Sequence, residues 1–307
     1  MPHPFQPTHY RELLRAFLKE DLGGGDITTD AIVPAEQRAQ GELIAKAPLV
    51  LAGIGLFVEV FGLLDGSAEA DILRQDGDEL APSEIPARLR AQARAVLTGE
   101  RAALNLLQRL SGVASLTRRF VQAVAGTRAQ ILDTRKTTPG LRELEKYAVR
   151  VGGGQNHRKN LSEAVLIKEN HIRLAGGVTA ALAAVETLRE RRPGPGAKGR
   201  PSWIEIEVTN LEELREVLAH APDVILLDNM SPPLVRAAVT LVRFAEDAQR
   251  KRRRDPSYKI RVEASGGITL ANVREFAEAG ADWISVGALT HSAPAVDLSF
   301  EIGLNYS

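Results

Sequence analysis

Two basic residues follow directly on a short apolar run, ILDTRKTTPG at residues 131–140. Arg135 and Lys136 stand where a buried strand would reach the end of a sheet, and Lys168 follows a second such run, AVLIK. Arginine suits bidentate contact with carboxylate or phosphate, whereas lysine suits a point-charge contact. Because cations that converge without an equal number of acids destabilise an empty protein, the pattern predicts a site for a polyanionic ligand.

A glycine-rich loop, VRVGGGQNHRKN at residues 149–160, adds two further basic side chains. His157 and Arg158 follow three consecutive glycines, which suit a loop whose backbone packs close to a ligand. Each cation taken alone is explained as simply by an ion pair or by solvation. Their convergence at the strand ends of one sheet favours an anion site.

Two turns of small residues follow later in the chain. EASGGI contains Ser265, Gly266 and Gly267, and SVGA contains Gly287. Turns of this kind expose backbone N–H groups, and a helix N-terminus attracts phosphate. The last strands of a barrel are the usual place for a phosphate site, so we expect one here. The alternative is that glycine merely allows tight packing of strand against helix.

Two carboxylates, Glu207 and Asp228, also end strand-like runs. Oxygen ligands alone suggest Mg²⁺ shared with ligand phosphates rather than zinc. The same side chains could instead bind sugar hydroxyls, or simply neutralise the surrounding cations. The residues themselves leave these three interpretations open.

The elements that must position these side chains alternate regularly. Six strand-like runs, each leading to a helix-like stretch, lie at residues 130–134, 164–168, 203–208, 223–228, 260–264 and 282–286. Such alternation predicts a parallel sheet covered by helices. Polar residues end all six runs, which favours a barrel, whose rim collects every strand end, over an open doubly wound sheet.

Capping residues predict where several of the helices begin and end. Thr138, Asn210 and Thr269 stand at predicted N-caps, with Glu213 completing a capping box on Asn210. Gly280 stands where the helix after Thr269 should end.

The N-terminal part of the chain lacks the strand–helix alternation. Residues 1–112 predict an α/β cap (sandwich) domain with a strand near 39–46, and residues 113–291 an incomplete, roughly six-stranded parallel α/β barrel. We expect the tail, residues 292–307, to pack on the cap. A helix linking the two domains carries apolar residues on one face, namely Leu97, Leu104, Leu107, Leu110 and Ala114.

Composition excludes several classes of protein. There is no cysteine, so a disulfide framework and a Cys nucleophile are absent. The formal net charge is zero, and the basic run at 249–256 lacks interleaved aromatic residues, so we expect no nucleic-acid binding. The apolar stretch at 47–64 contains Glu59 and several glycines, and predicts a strand and a core helix rather than a membrane span. No secretory signal is recognisable, and we expect a cytoplasmic protein.

The chain resembles the quinolinate phosphoribosyltransferases, also called decarboxylating nicotinate-nucleotide pyrophosphorylases. The resemblance runs in order from about residue 20 to residue 300 and rests on EDLGGGDITTDAIVP, TGERAALNLLQRLSG, LDTRKTTPGLRELEKYAVRVGGGQNHR, AVLIKENHI, IEIEV, ILLDNMSP, VEASGGI and ISVGALTHS. Two stretches, 192–201 and 247–258, are longer than the family pattern leads us to expect. We place both inserts in loops between a helix and a strand.

The resemblance implies a reaction in NAD biosynthesis. The ring nitrogen of quinolinate attacks C1 of phosphoribosyl pyrophosphate, pyrophosphate leaves, and the carboxylate beside the nitrogen departs as CO₂, giving nicotinate mononucleotide. Mg²⁺ accompanies phosphoribosyl pyrophosphate, and no organic cofactor takes part. The resemblance also implies a homodimer in which Arg101 reaches the neighbouring subunit's site.

The resemblance assigns roles to the residues at the predicted rim. Quinolinate and pyrophosphate would contact Arg101, Thr134, Arg135, Lys136, His157, Arg158 and Lys168. Ribose and its 5′-phosphate would contact Glu207, Asp228, Ser265, Gly266, Gly267, Gly287 and His291. Glu207 and Asp228 would also hold Mg²⁺, partly through the substrate, and with Lys136 and Lys168 would carry the catalysis.

Three other functions fit parts of the pattern. Lys168 at a strand end could form a Schiff base in an aldolase. A sensor of phosphorylated metabolites would bind the substrates without releasing pyrophosphate. A relative acting on a different anion, such as a molybdenum-associated paralogue, would share the fold.

Overall fold

A computed structural model of the chain describes residues 5–190, 201–220, 222–253 and 257–304. The chain divides into two compact units, each with its own sheet. The first comprises Met1–Arg118, Leu144–Gly153 and Ser292–Ser307, and the second comprises Arg119–Glu143 and Gly154–His291.

The first unit is built around an antiparallel sheet. Its strands are β1 (Arg38–Ala45), β2 (Leu49–Val50), β3 (Glu69–Ile72), β4 (Glu79–Leu80), β5 (Ala87–Gln92) and β12 (Leu298–Leu304). Its helices are a 3₁₀ turn (Pro7–Tyr10), α1 (Arg11–Leu22), α2 (Ile27–Ile32), α3 (Ile54–Leu64), most of α4 (Ala93–Ala123) and most of α5 (Arg142–Val151). The main sheet has the order β12-β1-β5-β3, and β2 pairs with β4. Residues along β1 alternate between buried and partly exposed, as expected for a sheet with one face on the core.

The second unit is a parallel sheet flanked by helices. Its strands are β6 (Gln130–Leu132), β7 (Val165–Ile167), β8 (Ile204–Val208), β9 (Val224–Asp228), β10 (Arg261–Ser265) and β11 (Trp283–Ser285). Its helices are α6 (Glu169–Ala175), α7 (Val178–Glu190), α8 (Leu211–Leu218), α9 (Pro232–Arg253), α10 (Val273–Ala279) and α11 (Ala288–His291). All six predicted strands are therefore present, with ends that differ by one or two residues.

The strand order confirms the incomplete barrel. The order β6-β11-β10-β9-β8-β7 follows the chain from β7 to β11 and returns to β6, which is a ring interrupted between β6 and β7. Residue Gln155 lies beside β6 at that interruption: its N–H donates to Ile131 O at 2.8 Å, and its carbonyl accepts from Asp133 N at 3.2 Å. The glycine-rich loop thus occupies the free edge of β6.

Several local predictions are corrected by the structure. Thr138 and Thr269 are not N-caps, because α5 begins only at Arg142 and α10 only at Val273. Thr138 O instead accepts from Leu141 N in a turn. Leu97 of α4 is 40% exposed and does not share the buried face of that helix.

Two other helix ends match the sequence more closely. The Asn210 side chain caps α8 by accepting from the N–H groups of Glu212 and Glu213, while the Glu213 carboxylate accepts from Thr209 N rather than from Asn210. Gly280 ends α10 with φ of 100°, a left-handed conformation that favours glycine.

The structure describes the two predicted inserts to different extents. Residues 192–200 of the first lie outside the described residues. The second was expected to be a loop, but α9 continues to Arg253, so its first half is helical. None of the described helices combines the length and apolar character needed to cross a membrane.

Candidate active site

A cavity of about 310 Å³ opens at the C-terminal ends of the barrel strands. Every strand of the second unit contributes to it, directly or through the residues that follow it. Its lining is Thr134, Arg135, Lys136, His157, Arg158, Leu166, Lys168, Glu207, Leu226, Asp228, Glu263, Ser265 and Ser285. The sequence predicted nine of these as rim residues of a single site.

The charges are sorted around the rim by strand order. Arg135 and Lys136 follow β6, Lys168 follows β7, and His157 and Arg158 come from the loop between those strands. On the other arc, Asp228 ends β9 and Glu207 is the last residue but one of β8. One arc of the cavity is therefore cationic, and the other offers carboxylates and the Ser265 hydroxyl.

Hydrogen bonds fix the loop that carries the first two cations. Lys136 N donates to Thr134 Oγ1 at 3.0 Å, and Thr290 Oγ1 donates to Lys136 O at 2.7 Å. Arg142 Nε donates to Thr137 Oγ1 at 2.9 Å. Within the described residues, the buried Nε of Arg135 has no hydrogen-bond partner, which suits a guanidinium that binds an anionic ligand.

Arg158 and Lys168 are held in different ways. Arg158 is buried, and its Nη1 donates to Ala164 O at 2.9 Å. Burial and the charge of the neighbouring Arg135 lower the pKa of Arg158. Lys168 is half-exposed, and its Nζ lies 3.2 Å from Glu207 Oε2. An anion would relieve the repulsion between the arginines.

His157 sits above two buried glutamates. Its Nε2 lies 3.0 Å from Glu205 Oε2 and 3.4 Å from Glu263 Oε2. Its Nδ1 accepts a hydrogen bond from Arg158 N at 2.8 Å, and the backbone N–H of His157 donates to Asp133 Oδ1 at 2.9 Å. Because Nδ1 is an acceptor, the ring proton must lie on Nε2, facing the glutamates.

The three groups form one proton-holding cluster, which we call the floor cluster (His157, Glu205 and Glu263). Burial lowers the pKa of His157, but hydrogen bonds to the two glutamates raise it to about 10. Burial, reinforced by the charge of Glu205, raises the pKa of Glu263 to about 7. The cluster therefore holds at least one proton more than a neutral imidazole and two carboxylates would carry. A pKa raised this far favours an imidazolium, but the hydrogen bond that Nδ1 accepts from Arg158 N leaves no place for a second ring proton. We therefore assign the extra proton to the two carboxylates.

Glu205 and Glu263 were not predicted from the sequence. Each lies two residues before a rim residue, Glu207 and Ser265 respectively, and side chains two apart in a strand point to the same face. Both are almost completely buried. The signal was a glutamate within an apolar strand, in IEIEV and in VEAS, and only the terminal polar residue of each run was read as functional.

Four residues predicted to contact phosphate do not line the cavity: Gly266, Gly267, Gly287 and His291. At Gly266, where φ is 92°, an added Cβ would lie 2.2 Å from Asn229 Oδ1. That glycine is required by packing, which was the alternative interpretation. At Gly287 an added Cβ would lie 3.1 Å from both His291 Nε2 and Lys136 Cδ, so this turn packs closely against the rim lysine. A phosphate site at these turns stays a prediction.

Two family models match the chain. The C-terminal domain of quinolinate phosphoribosyl transferase matches residues 113–301, and the N-terminal domain matches residues 26–111. The chain belongs to the quinolinate phosphoribosyl transferase family.

Individual relatives cover nearly the whole of this family member. A probable nicotinate-nucleotide pyrophosphorylase [carboxylating] from Synechocystis is 42% identical, covering 95% of the chain and 92% of that protein. The nicotinate-nucleotide pyrophosphorylase [carboxylating] of Mycobacterium leprae is 41% identical, covering 95% and 96%. The crystal structure of NadC from Streptococcus pyogenes is 38% identical, covers 98% of each chain and has a TM-score of 0.86.

The fit of a metal ion to this family member can be judged from its acids. Glu207 and Asp228 supply two carboxylates, and neither belongs to a cluster of three candidate ligands among the described residues. Lys168 already neighbours Glu207, and Asn229 Nδ2 donates to Asp228 Oδ2 at 2.8 Å. Mg²⁺ is commonly bound by one or two carboxylates together with substrate phosphates. The donor set therefore fits Mg²⁺ that arrives with a phosphorylated substrate, and does not form a complete metal site by itself.

Arg101 lies on α4 in the first unit. It is exposed, and it is not part of the cavity lining. Its predicted contribution to a site in a neighbouring subunit stays a prediction.

Proposed function

We propose that this protein transfers the phosphoribosyl group of phosphoribosyl pyrophosphate to the ring nitrogen of quinolinate. Pyrophosphate and CO₂ leave, and nicotinate mononucleotide, a precursor of NAD, is the product. The observation that carries the proposal is the sorted rim, with its basic arc from Arg135 to Lys168 and its acidic arc at Glu207 and Asp228. Membership of the family and the names of its relatives support the same reaction.

The basic arc suits two anionic substrates. Arg135 and Arg158 can bind carboxylates in bidentate fashion, while Lys136 and Lys168 can neutralise pyrophosphate as it leaves. Quinolinate needs no general base, because its nitrogen lone pair is free. The protein therefore contributes mainly positioning and electrostatic stabilisation.

The acidic arc suits the sugar. Glu207 and Asp228 can accept hydrogen bonds from ribose hydroxyls, and their charge favours the positive charge that develops on the sugar as pyrophosphate departs. The same two carboxylates would hold Mg²⁺, which would neutralise the pyrophosphate. The Ser265 turn and the Gly287 turn would bind the 5′-phosphate, with His291 nearby.

We further propose a homodimer in which Arg101 completes the partner's site. Arg101 is exposed and does not belong to the core of the first unit. In a two-fold dimer, each Arg101 could reach the cavity of the partner subunit. A cysteine-free chain fits a reducing compartment, and the cytoplasm is the proposed location.

The Schiff-base alternative is less well supported. A nucleophilic lysine needs a neutral amine, usually obtained by desolvation or by a neighbouring cation. The Lys168 side chain is 53% exposed and pairs with Glu207, so it is not desolvated and its neighbour here is an acid. Borohydride reduction in the presence of a carbonyl substrate should therefore trap no Lys168 adduct.

The direct test is an incubation with quinolinate, phosphoribosyl pyrophosphate and Mg²⁺. We expect pyrophosphate and CO₂ in equal amounts, with nicotinate mononucleotide identified by mass. A reaction without phosphoribosyl pyrophosphate is the control. Binding of both substrates without pyrophosphate release would instead indicate a sensor, and activity on another anion would indicate a different branch of the family.

A further inference from the structure

The proposed reaction requires a proton that no rim residue obviously supplies. When the carboxylate beside the ring nitrogen leaves as CO₂, the electron pair of the broken C–C bond stays on the ring carbon. The adjacent cationic nitrogen stabilises that pair, but the carbon must then form a C–H bond. The inference below rests on the proposed function and concerns the source of this proton.

The basic rim residues are poorly suited to donate it. Arg135 and Arg158 do not give up protons near neutral pH. Lys136 and Lys168 would lose the charge that binds the anionic ligands. Proton donation is most efficient from a group whose pKa lies near the working pH, and this condition points away from the basic arc.

Glu263 differs from the other acids of the cavity in its position. Asp228 ends β9 and Glu207 lies one residue before the end of β8, whereas Glu263 lies two residues before the end of β10, deeper in the barrel. It is 1% exposed, yet it lines the cavity. Its Oε2 has no hydrogen-bond partner among the described residues, and His157 Nε2 lies 3.4 Å from it. An acid in this position can reach a ligand in the cavity and is shielded from bulk water.

The surroundings of Glu263 favour its protonated form. Burial and the charge of Glu205 raise its pKa to about 7, against the opposing influence of His157 and of the Ser285 hydroxyl. His157 has its Nε2 proton directed at the two glutamates. Once Glu263 becomes a carboxylate, that N–H can stabilise it.

We infer that Glu263 is the general acid that protonates the ring carbon after CO₂ departs. The O–H bond of Glu263 breaks, a C–H bond forms with the electron pair left by the C–C cleavage, and Glu263 becomes a carboxylate beside His157 Nε2–H. A proton from water restores the acid before the next turnover. Without this donor, the ring carbanion recaptures CO₂, and the phosphoribosylated dicarboxylate accumulates.

The test is a Glu263→Gln variant assayed for pyrophosphate and CO₂ in the same reaction. Pyrophosphate release should persist, because phosphoribosyl transfer precedes the proton step. CO₂ release should fall by roughly 100-fold, the lower range of a general-acid contribution. Mass spectrometry should detect the phosphoribosylated dicarboxylate, and isotopically labelled CO₂ should exchange into it faster than in the wild type.

The matched control is Glu207→Gln, the same substitution at a rim acid on a neighbouring strand. This variant should slow both products together and keep them equal, because it affects the transfer step. Glu263→Asp keeps a carboxyl group but shortens the side chain by one methylene. In this variant the excess of pyrophosphate over CO₂ should be smaller than in Glu263→Gln. The Asp variant also carries the test if the Gln variant fails to fold.

The possible outcomes distinguish a failure of the proposed role of Glu263 from a failure of the proposed function. Equal amounts of pyrophosphate and CO₂ from the folded Glu263 variants, at any rate, would overturn the role of Glu263. Absence of pyrophosphate from the wild-type protein would overturn the proposed function itself.

Discussion

The rim and the floor of the barrel cavity use charge in opposite ways. At the rim, Lys168 and Glu207 form a pair in which the lysine side chain is 53% exposed. Such a pair is weak and can exchange partners when a ligand arrives. On the floor, the members of the cluster are at most 7% exposed, and burial disfavours their charged forms. The rim can therefore rearrange its ion pairs when a ligand binds, whereas burial favours a proton held within the floor cluster.

This difference separates binding from proton chemistry within one cavity. An exposed and paired cation such as Lys168 costs little to maintain in an empty site. A buried pair of carboxylates is costly unless a proton or a cation is shared between them. The floor cluster therefore does more than neutralise the cations of the rim. The rim and the floor cluster should respond differently to changes in ligand, side chain and pH.

The largest expected effect tests the rim by changing the ligand. Nicotinate lacks one of the two carboxylates of quinolinate, so it leaves part of the basic arc, which includes the buried Arg158, unpaired. Sites built for a polar group reject an analogue without it by about 10⁴-fold. We expect kcat/KM for nicotinate to be lower than for quinolinate by about that factor. Comparable kcat/KM values for the two substrates would show that the basic arc does not recognise the second carboxylate of quinolinate.

The next effect tests the acidic arc. Asp228→Ala, and separately Glu207→Ala, should lower kcat by about 10²- to 10³-fold or weaken phosphoribosyl pyrophosphate binding, because each removes a group that stabilises charge developing on the sugar. Quinolinate binding, measured by calorimetry, should be kept, since it depends on the opposite arc. An Asp228→Ala protein with normal kcat and weakened quinolinate binding would reverse the assignment of the two arcs.

A smaller effect should come from the floor as a pH dependence of stability. Folding raises the pKa of Glu263 from 4.5 to about 7, so the folded state binds the proton more tightly than the unfolded chain. The resulting stabilisation is complete below about pH 4.5 and is lost as the pH rises towards 7. Each pKa unit corresponds to about 1.4 kcal/mol, which allows a loss of up to about 3 kcal/mol.

Urea unfolding at a series of pH values measures this dependence. The free energy of unfolding of the wild type should fall relative to that of Glu263→Gln between pH 4.5 and 7. The Gln variant cannot ionise, so parallel curves for the two proteins would indicate that Glu263 has an ordinary pKa in the folded state.

The smallest signal is a partial recovery of activity, and it tests whether the rim is complete within one chain. Arg101→Ala and Glu207→Ala should each be nearly inactive alone. If Arg101 serves the partner's cavity, random exchange makes half of the dimers hybrid, and each hybrid has one intact site. Activity should then recover to roughly a quarter of the wild-type value. Tagged subunits verify that exchange occurs, and proven hybrids without activity would place the role of Arg101 within its own chain.

The sequence predicted the rim better than the floor. Rim residues such as Lys168 and Asp228 stand at the ends of apolar runs, where chain order alone reports that they reach the edge of a sheet. Glu205 and Glu263 interrupt apolar runs, where a polar residue reads as an irregularity. Their importance depends on β8 and β10 directing side chains towards the same His157, and that residue comes from a loop far away in sequence. No local sequence pattern predicts that these three side chains are in contact.

The sequence by itself determined the periodicity of the chain and the chemistry at its strand ends. Alternating strand and helix signals, with polar residues after each strand, suffice for a parallel barrel, because parallel strands bring their C-terminal ends to one side. Capping was decided partly by tertiary structure: Asn210 caps α8 as its local sequence predicts, but α5 starts only after Gly140 has turned the chain with φ of 83°.

Only the tertiary structure decided which charges are buried and which polar atoms share a proton. The pKa of Glu263 depends on the absence of water and on neighbours from β8, β11 and the glycine-rich loop. These are through-space properties, since the electrostatic energy of a group varies with its distance from other charges and with the surrounding dielectric. The sequence specifies that a glutamate is present, and the fold determines whether it acts as an ion or as an acid.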